Sequence, residues 1–380
     1  MTIEPNNLAY KFEVADEIQV YRPRPVKRYM LCPSGGYYVK LELLKDGTLF
    51  AVFKGGDGIV GLWGHLQSAT SHDGGESWTP PRSIVQMNHD TDHMALGQTR
   101  DGALVICFIQ PHAYQNGLWD TAQVHDGPVY VTRSLDGGQS WTPPVTIDTS
   151  TIPVPDGCNP HGKMAQLPDG TLLMSVYLSY RDHKTPASYQ EHGLQFGTYI
   201  LRSRDGGQTW GDASRLADGF VEPSLYVLPS GRLIGLVAQF MPGRNLWQTE
   251  SDDGGYTWRA PHPVTGYHEY SGSSLLLLRD GRLLLAYGHR SFPGGVHAMV
   301  SHDEGRSWNQ DEKVILAAES VYQFCGGGSS VQLADGKIVT AYFQHQGTGP
   351  FLHPRTYWVS AGFFSGPYAA VVKYDPAALP

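Results

Sequence analysis

The sequence predicts an all-β fold, a six-bladed β-propeller of four-stranded antiparallel blades, and two internal repeats carry that prediction. The first is an eight-residue pattern, S-x-D-x-G-x-x-W, which occurs as SHDGGESW from Ser71, SLDGGQSW from Ser134, SRDGGQTW from Ser203, SDDGGYTW from Ser251 and SHDEGRSW from Ser301. The second is a hairpin pattern in which a short apolar run enters a D-G or S-G turn and leaves as another apolar run. It occurs six times, with turn glycines Gly47, Gly102, Gly170, Gly231, Gly281 and Gly336. A composition of 45 Gly and 26 Pro in 380 residues agrees with a chain of many turns, and no amphipathic helix of useful length is present. Repetition at this period marks an array of one supersecondary unit.

Each Asp pattern reads as a tight turn. Asp followed by Gly supplies positive-φ positions, and the carboxylate accepts hydrogen bonds from the turn's own amides. The Trp reads as an apolar plug between neighbouring units. Asp73, Asp136, Asp205, Asp253 and Asp303 are therefore read as scaffold, since five identical turns cannot all line one pocket. The hairpins LELLKDGTLFAVF, LGQTRDGALVICF, MAQLPDGTLLMSVY, LYVLPSGRLIGLV, LLLLRDGRLLLAYG and VQLADGKIVTAYF carry period-two patterning on both sides of the turn. Five of them precede an Asp turn, so the unit reads strand, turn, strand, loop, strand, Asp turn, strand. The sixth has no Asp turn. Its remaining strands are assigned to TYWVSAGFF and PYAAVVKYD, with the N-terminal AYKFEVADEIQVY completing the blade and closing a single domain over residues 1–380.

Charge and cysteine usage narrow the function. A net charge of −8 with no basic run argues against nucleic-acid binding. No apolar stretch approaches membrane-spanning length, and the N-terminus lacks a basic region followed by a hydrophobic run, so the expectation for this sequence is a cytoplasmic protein without a membrane partner. Cys32, Cys107, Cys158 and Cys325 form no C-x-x-C pair, and neither a metal nor a cofactor is expected.

The five Asp turns in register with six D-G hairpins resemble the sialidase superfamily, the BNR or Asp-box repeat proteins, over nearly the whole chain. The resemblance implies a propeller whose ligands bind where the innermost strands begin. Polar groups collect there: Asp90, Asp92 and His93; Asn159, His161 and Lys163; Glu222; Tyr267, His268, Glu269 and Tyr270; Tyr322 and Gln323. The ends of the second strands add Asp57, Arg244, Trp247, His289, Arg290 and His345. Such convergence suits a sugar pocket. Glycoside cleavage needs an acid for the leaving oxygen and a second group for the oxocarbenium-like centre, so Glu222, Asp57, Asp92, Glu269 and Tyr322 are the catalytic candidates. Glu222 leads, because a carboxylate in an apolar run before Pro223 is costly unless wet or paired. By the resemblance, Glu222 corresponds to the glutamate that activates a tyrosine nucleophile, Asp57 to the acid/base, and Tyr322 lies nearest the nucleophile's position. His93, His161, Lys163, Arg244, Trp247, His268, Tyr270, Arg290 and Gln323 are the substrate-binding candidates.

The chain departs from the sialidase pattern at one place. Sialidases clamp the substrate carboxylate with three arginines, the first from an F-R-I-P segment. This chain has GGYYVKLELL there, with Tyr37 or Tyr38 in place of the arginine. The reading is therefore an exo-acting glycoside hydrolase releasing a terminal sugar whose identity the sequence leaves open, a neutral or differently charged sugar fitting better than sialic acid, with a carbohydrate as its partner. Two alternatives stand beside it: a propeller-type polysaccharide lyase using His and Tyr on a uronate, and a carbohydrate-binding propeller without activity.

Overall fold

The computed structural model describes residues 8–15, 18–56, 62–85, 87–88, 90–111, 114–115, 118–119, 127–153, 158–181, 194–239, 243–269, 272–291, 294–320, 325–345 and 367–380. The described chain is all-β, with two single-turn 3-10 segments at Gln310–Glu312 and Pro376–Ala378. No helix among the described residues is long and apolar enough to cross a membrane.

Among the described residues the strands form antiparallel groups, gathered by their hydrogen bonds into sheets of eight, six, four, four and four strands, with a separate two-stranded sheet. The innermost strands of the groups are Tyr37–Leu43, Asp92–Gln98, Cys158–Gln166, Phe220–Val227, Ser274–Leu277 and Gly326–Gln332. These groups are of the kind that make up propeller blades, but they do not form six separate sheets. The second and third are joined into one eight-stranded sheet by a short parallel pairing, Gly162↔Ala95 and Lys163↔Leu96. The fifth carries two extra strands, which makes it six-stranded. Three groups stand as four-stranded sheets.

Those extra strands correct the expectation for the N-terminus. Leu8–Ala15 and Ile18–Pro25 form a hairpin that pairs with Val314–Ser320 through Tyr10↔Ile315 and Lys11↔Val314. The last group is completed instead by Lys27–Cys32, which runs antiparallel to Pro367–Tyr374. Either stretch has the alternation to cover a sheet edge, and the register rather than the pattern selects Lys27–Cys32 for the last one. The expected strand TYWVSAGFF lies outside the described residues.

The chain divides into two compact units: Met1–Gly58, Gln67–Arg82 and Val264–Pro380 form one, and Ile59–Leu66 with Ser83–Pro263 form the other. Within the first, Val39, Leu41, Leu49, Ala51 and Phe53 pack with Val331, Val339, Ala341 and Val371. Within the second, Ala165, Leu173, Ile200, Leu225, Leu233 and Val237 share one core. Second strands such as Leu49–Gly55 and Leu104–Ile109 are buried along their whole length, which is why they read as continuous apolar runs.

The two turn types hold as local structures. At the first hairpin Gly47 has φ +88°, its N–H donates to the Leu44 carbonyl at 2.9 Å, and the Leu44 N–H donates to the Thr48 carbonyl at 2.8 Å. The remaining five hairpins repeat that pair of bonds, a type I turn followed by a left-handed glycine. In the Asp turn at Ser203, Asp205 Oδ1 accepts from Gln208 N at 3.0 Å and Thr209 N at 2.9 Å, and Oδ2 accepts from Thr209 Oγ1 at 2.6 Å. Trp210 is buried and its indole N–H donates to the Gly207 carbonyl at 3.2 Å. Partial burial pushes the Asp205 carboxyl up, but the Thr209 hydroxyl and amide outweigh it and hold it at about 2. Asp205→Ala is expected to cost about 1–2 kcal/mol in urea unfolding at pH 7, because two turn amides and the hydroxyls of Ser203 and Thr209 lose their acceptor. Unchanged stability would show that water replaces the carboxylate without cost.

Candidate functional site

The innermost strands share an irregularity at their entry. The pairing register shifts between Tyr37 and Lys40, Asp92 and Met94, His161 and Ala165, Val221 and Ser224, and Gly326 and Ser329. These are β-bulges, which re-aim the residue they contain. Within these five intervals the positive-φ residues are Tyr38 (φ +56°), His93 (+35°), Gly162 (+78°), Glu222 (+48°) and Gly327 (+88°). In the fifth group Gly272 (+59°) precedes the innermost strand. Glycine suits a left-handed position, whereas any other residue there costs of order 1–3 kcal/mol and persists only where its surroundings impose it. Tyr38, His93 and Glu222 thus hold positions where the chain elsewhere uses glycine. Glu222 is doubly constrained, since a residue before proline favours extended backbone.

In the second unit, Glu222 sits beside the strand Cys158–Gln166. His161 is buried, with Nδ1 3.2 Å from the Pro223 carbonyl oxygen. Ser175 Oγ donates to the His161 carbonyl at 2.9 Å and lies 3.3 Å from that of Pro223. A Cβ on Gly162 would meet the Pro223 oxygen at 2.7 Å, so only glycine permits this approach. The Glu222 side chain is half-buried, and its Oε2 is shielded from solvent with no hydrogen-bond partner among the described residues. A buried carboxylate oxygen left this way is poised for a proton or a ligand hydroxyl.

A second element of the same unit is a chain of three side chains. The Tyr177 hydroxyl lies 2.6 Å from His93 Nε2, and His93 Nδ1 lies 3.6 Å from Asp92 Oδ2. Asp92 and His93 are buried, and Asp92 Oδ1 accepts from the His93 backbone N–H at 2.8 Å. A proton on Nδ1, facing the carboxylate, leaves Nε2 to accept from the tyrosine. His161 also meets Tyr177 edge to face, with ring centres 6.2 Å apart. Asp92, His93, Tyr177 and His161 therefore form one connected group, and His161 reaches the carbonyl of Pro223, the residue after Glu222.

Glu269, in the first unit, has a different environment. It is 4% exposed and holds the Lys313 ammonium at 2.7 Å from Oε2 and 3.0 Å from Oε1. Gly266 N donates to Oε2 at 2.8 Å, and His297 Nδ1 and His289 Nδ1 lie 3.3 and 3.6 Å from Oε1. Burial pushes the Glu269 carboxyl up, but the two imidazoles and Lys313 outweigh it and hold it far below the usual range. A carboxylate held ionised in this way is a weak general acid.

Two buried histidines here make stability depend on pH. Burial pulls His345 down to about 4, and burial, opposed by Glu269, leaves His297 at about 4. An unfolded histidine titrates near 6.5, so the unfolded chain binds more protons between those values. The stabilisation is complete above about pH 6.5 and is lost as pH falls towards 4. The melting temperature is expected to fall steadily from pH 7 to pH 4.5; a flat profile over that interval would contradict it.

The other expected site residues divide clearly. Arg290 is buried and its Nε donates to the Cys325 carbonyl at 3.1 Å; its N–H donates to the His268 carbonyl at 2.8 Å. His268 stacks on Tyr267 at 3.9 Å. Trp247 packs against Phe220 at 5.6 Å and donates to Asn245 Oδ1 at 3.2 Å. Lys163 and Arg244 are half-buried, Arg244 with φ +47°. Asp57, Tyr270, Tyr322 and Gln323 lie outside the described residues. Three residues escaped the sequence reading: Tyr177, His297 and Lys313. Tyr177 pairs with Asn159 across the hairpin, and that register was the available signal.

A family model for the BNR repeat-like domain matches residues 85–293. The chain belongs to the BNR repeat-like domain family. No curated protein matches it. Among solved structures, one of a Dyadobacter fermentans protein described as of unknown function is 21% identical, with a TM-score of 0.73 over 91% of this chain and 97% of that one. The Hadza microbial sialidase Hz136 is 15% identical, with a TM-score of 0.69 over 96% of this chain and 70% of that one. A leech intramolecular trans-sialidase is 14% identical, with a TM-score of 0.63 over 92% of this chain and 69% of that one. At these identities the likeness establishes a shared sialidase-like fold, and the fold by itself assigns no substrate.

Proposed function

We propose that this BNR-repeat chain is a six-bladed propeller acting as an exo-glycoside hydrolase on a terminal sugar, with Glu222 as the central catalytic carboxylate. The single observation that carries the reading is the placement of Glu222 at a left-handed bulge with one carboxylate oxygen buried and unsatisfied among the described residues. Backbone strain with an unmet buried acceptor is what a reactive group shows, and a packing residue would relax to glycine as at Gly162. In this reading Glu222 takes or gives the proton of the reacting hydroxyl, and Asp92, Asp57 or Tyr322 supplies the second group at the oxocarbenium-like centre. His161 holds a sugar hydroxyl, as a neutral imidazole does.

The substrate is a neutral or weakly charged sugar rather than a sialoside. Tyr37 or Tyr38 stands where the resemblance puts the first sialidase arginine, and a phenol cannot replace a forked cation on a planar carboxylate. A panel of aryl glycosides and oligosaccharides, including sialosides, arabinofuranosides and uronates, tests the proposal with Glu222→Gln as control. Turnover of a non-sialoside that disappears in Glu222→Gln is the expected result. Equal turnover in both proteins would overturn the assignment.

One observation favours a second reading. The Tyr177–His93–Asp92 chain is also what a β-eliminating lyase needs, a tyrosine that exchanges its proton with an oriented imidazole. An unsaturated product absorbing in the ultraviolet, lost in Tyr177→Phe and retained in Glu222→Gln, would favour the lyase.

A further inference from the structure

We propose that Glu269, His289 and His297 form a binding site for one divalent transition ion of the zinc class, with the Lys313 ammonium as the cation it competes against. All four residues belong to the first unit, and the site draws on none of the Glu222 group.

The geometry is the first argument. One ligand atom from each of the three side chains lies within 4.8 Å of the others. His297 Nδ1 and His289 Nδ1 are 3.3 and 3.6 Å from the same carboxylate oxygen, Oε1. Bonds of about 2.0–2.1 Å to a tetrahedral ion place ligand atoms about 3.3–3.5 Å apart, so the donors already stand near ligand spacing. Both Nδ1 atoms face Oε1, but the His289 and His297 rings are stacked, 13° apart with centres at 4.2 Å, so the imidazoles must swing about their side-chain torsions for their in-plane lone pairs to meet on one ion. Gly266 N holds Oε2 at 2.8 Å and the Lys313 ammonium bridges both carboxylate oxygens, 2.7 Å from Oε2 and 3.0 Å from Oε1, so an ion bound at Oε1 displaces the ammonium from that oxygen.

The second argument is burial. The three side chains are largely buried, with 5% of Glu269, 10% of His297 and 18% of His289 exposed, and one of their ligand atoms, His289 Nδ1, is unmet among the described residues. Two imidazoles with one carboxylate select zinc, cobalt or nickel over magnesium or calcium, which prefer oxygen. The ligands come from the second and third strands of the fifth group and from the loop before its first, while Lys313 immediately precedes the fourth. A bound ion would therefore tie the loop to the two strands. Lys313 weakens it by charge repulsion across Glu269, so removing that charge should tighten binding.

Cobalt(II) provides the readout, because its visible d–d absorption reports coordination without reference to activity. Untagged protein is titrated with cobalt chloride, as wild type, Lys313→Met and His289→Ala. Wild type is expected to take up one equivalent with the intense visible bands of a four-coordinate site, Lys313→Met at least tenfold more tightly, and His289→Ala at least a hundredfold more weakly. Cobalt should also raise the melting temperature of wild type. Absence of the bands in wild type at excess cobalt, or bands unchanged in His289→Ala, would overturn the proposal. Should Lys313→Met fail to fold, the wild-type and His289→Ala titrations decide it.

Discussion

Glu269→Ala is expected to lower stability by about 3–5 kcal/mol in the metal-free protein, the largest loss foreseen for any single substitution here. Lys313, with 14% of its side chain exposed, is paired with this buried carboxylate, and removing one partner of a largely buried ion pair strands the other charge. Gly266 N also loses its acceptor, and His297 loses its nearest carboxylate. The effect should appear in urea unfolding as a lower midpoint with an unchanged slope. Combining the change with Lys313→Met should recover a substantial part of the loss, because the stranded ammonium is then gone. A loss below about 1 kcal/mol would show that solvent reaches Lys313 and that the pair is not buried in solution.

The second large effect concerns chemistry rather than stability. Glu222→Gln is expected to reduce turnover by about a thousandfold or more, in the range that loss of a general acid or base produces. Its melting temperature should stay close to that of wild type, since the amide is nearly isosteric and the carboxylate makes no ion pair recorded among the described residues. Glu222→Gly separates the two roles of the position. It should be equally inactive, yet no less stable, because glycine relieves the left-handed strain at φ +48° and the residue is only half-buried. Most active-site deletions do not combine loss of activity with retained or increased stability, and a site under functional strain does.

The contrast between these two glutamates shows what sequence patterning reveals and what it does not. Glu222 lies near the start of the innermost strand Phe220–Val227 and Glu269 precedes the innermost strand Ser274–Leu277, and both read as carboxylates in a candidate pocket. Glu222 was singled out because its apolar flanks and Pro223 made its presence costly, a local signal. Glu269 is held by Lys313 and His297, which follow it by 44 and 28 residues, and no local pattern announces that closure. Its placement shows an ion-paired carboxylate rather than a free acid.

The repeats were legible for the opposite reason. The turns at Gly47 and Asp205 close on their own neighbours within four residues, so their residues carry all the information needed. The bulges were not legible, because φ at Tyr38, His93 and Glu222 is set by the pairing of strands and not by residue type. Tyr177 was hidden by its setting in MSVYLSY, where an aromatic at an alternating position reads as core; only its pairing with Asn159 turns it towards His93. The N-terminal strands misled for a related reason. Alternation over 9–21 suits any open edge, and Lys27–Cys32 took the edge to which the earlier stretch had been assigned.

The central claim is that the Glu222 carboxylate carries glycoside cleavage from a strained bulge. Its most direct test is the turnover of folded Glu222→Gln beside wild type, on whichever glycoside of the panel wild type cleaves fastest. The account predicts a fall of about a thousandfold or more with the melting temperature retained. Turnover within a few-fold of wild type would contradict it and move the chemistry away from Glu222.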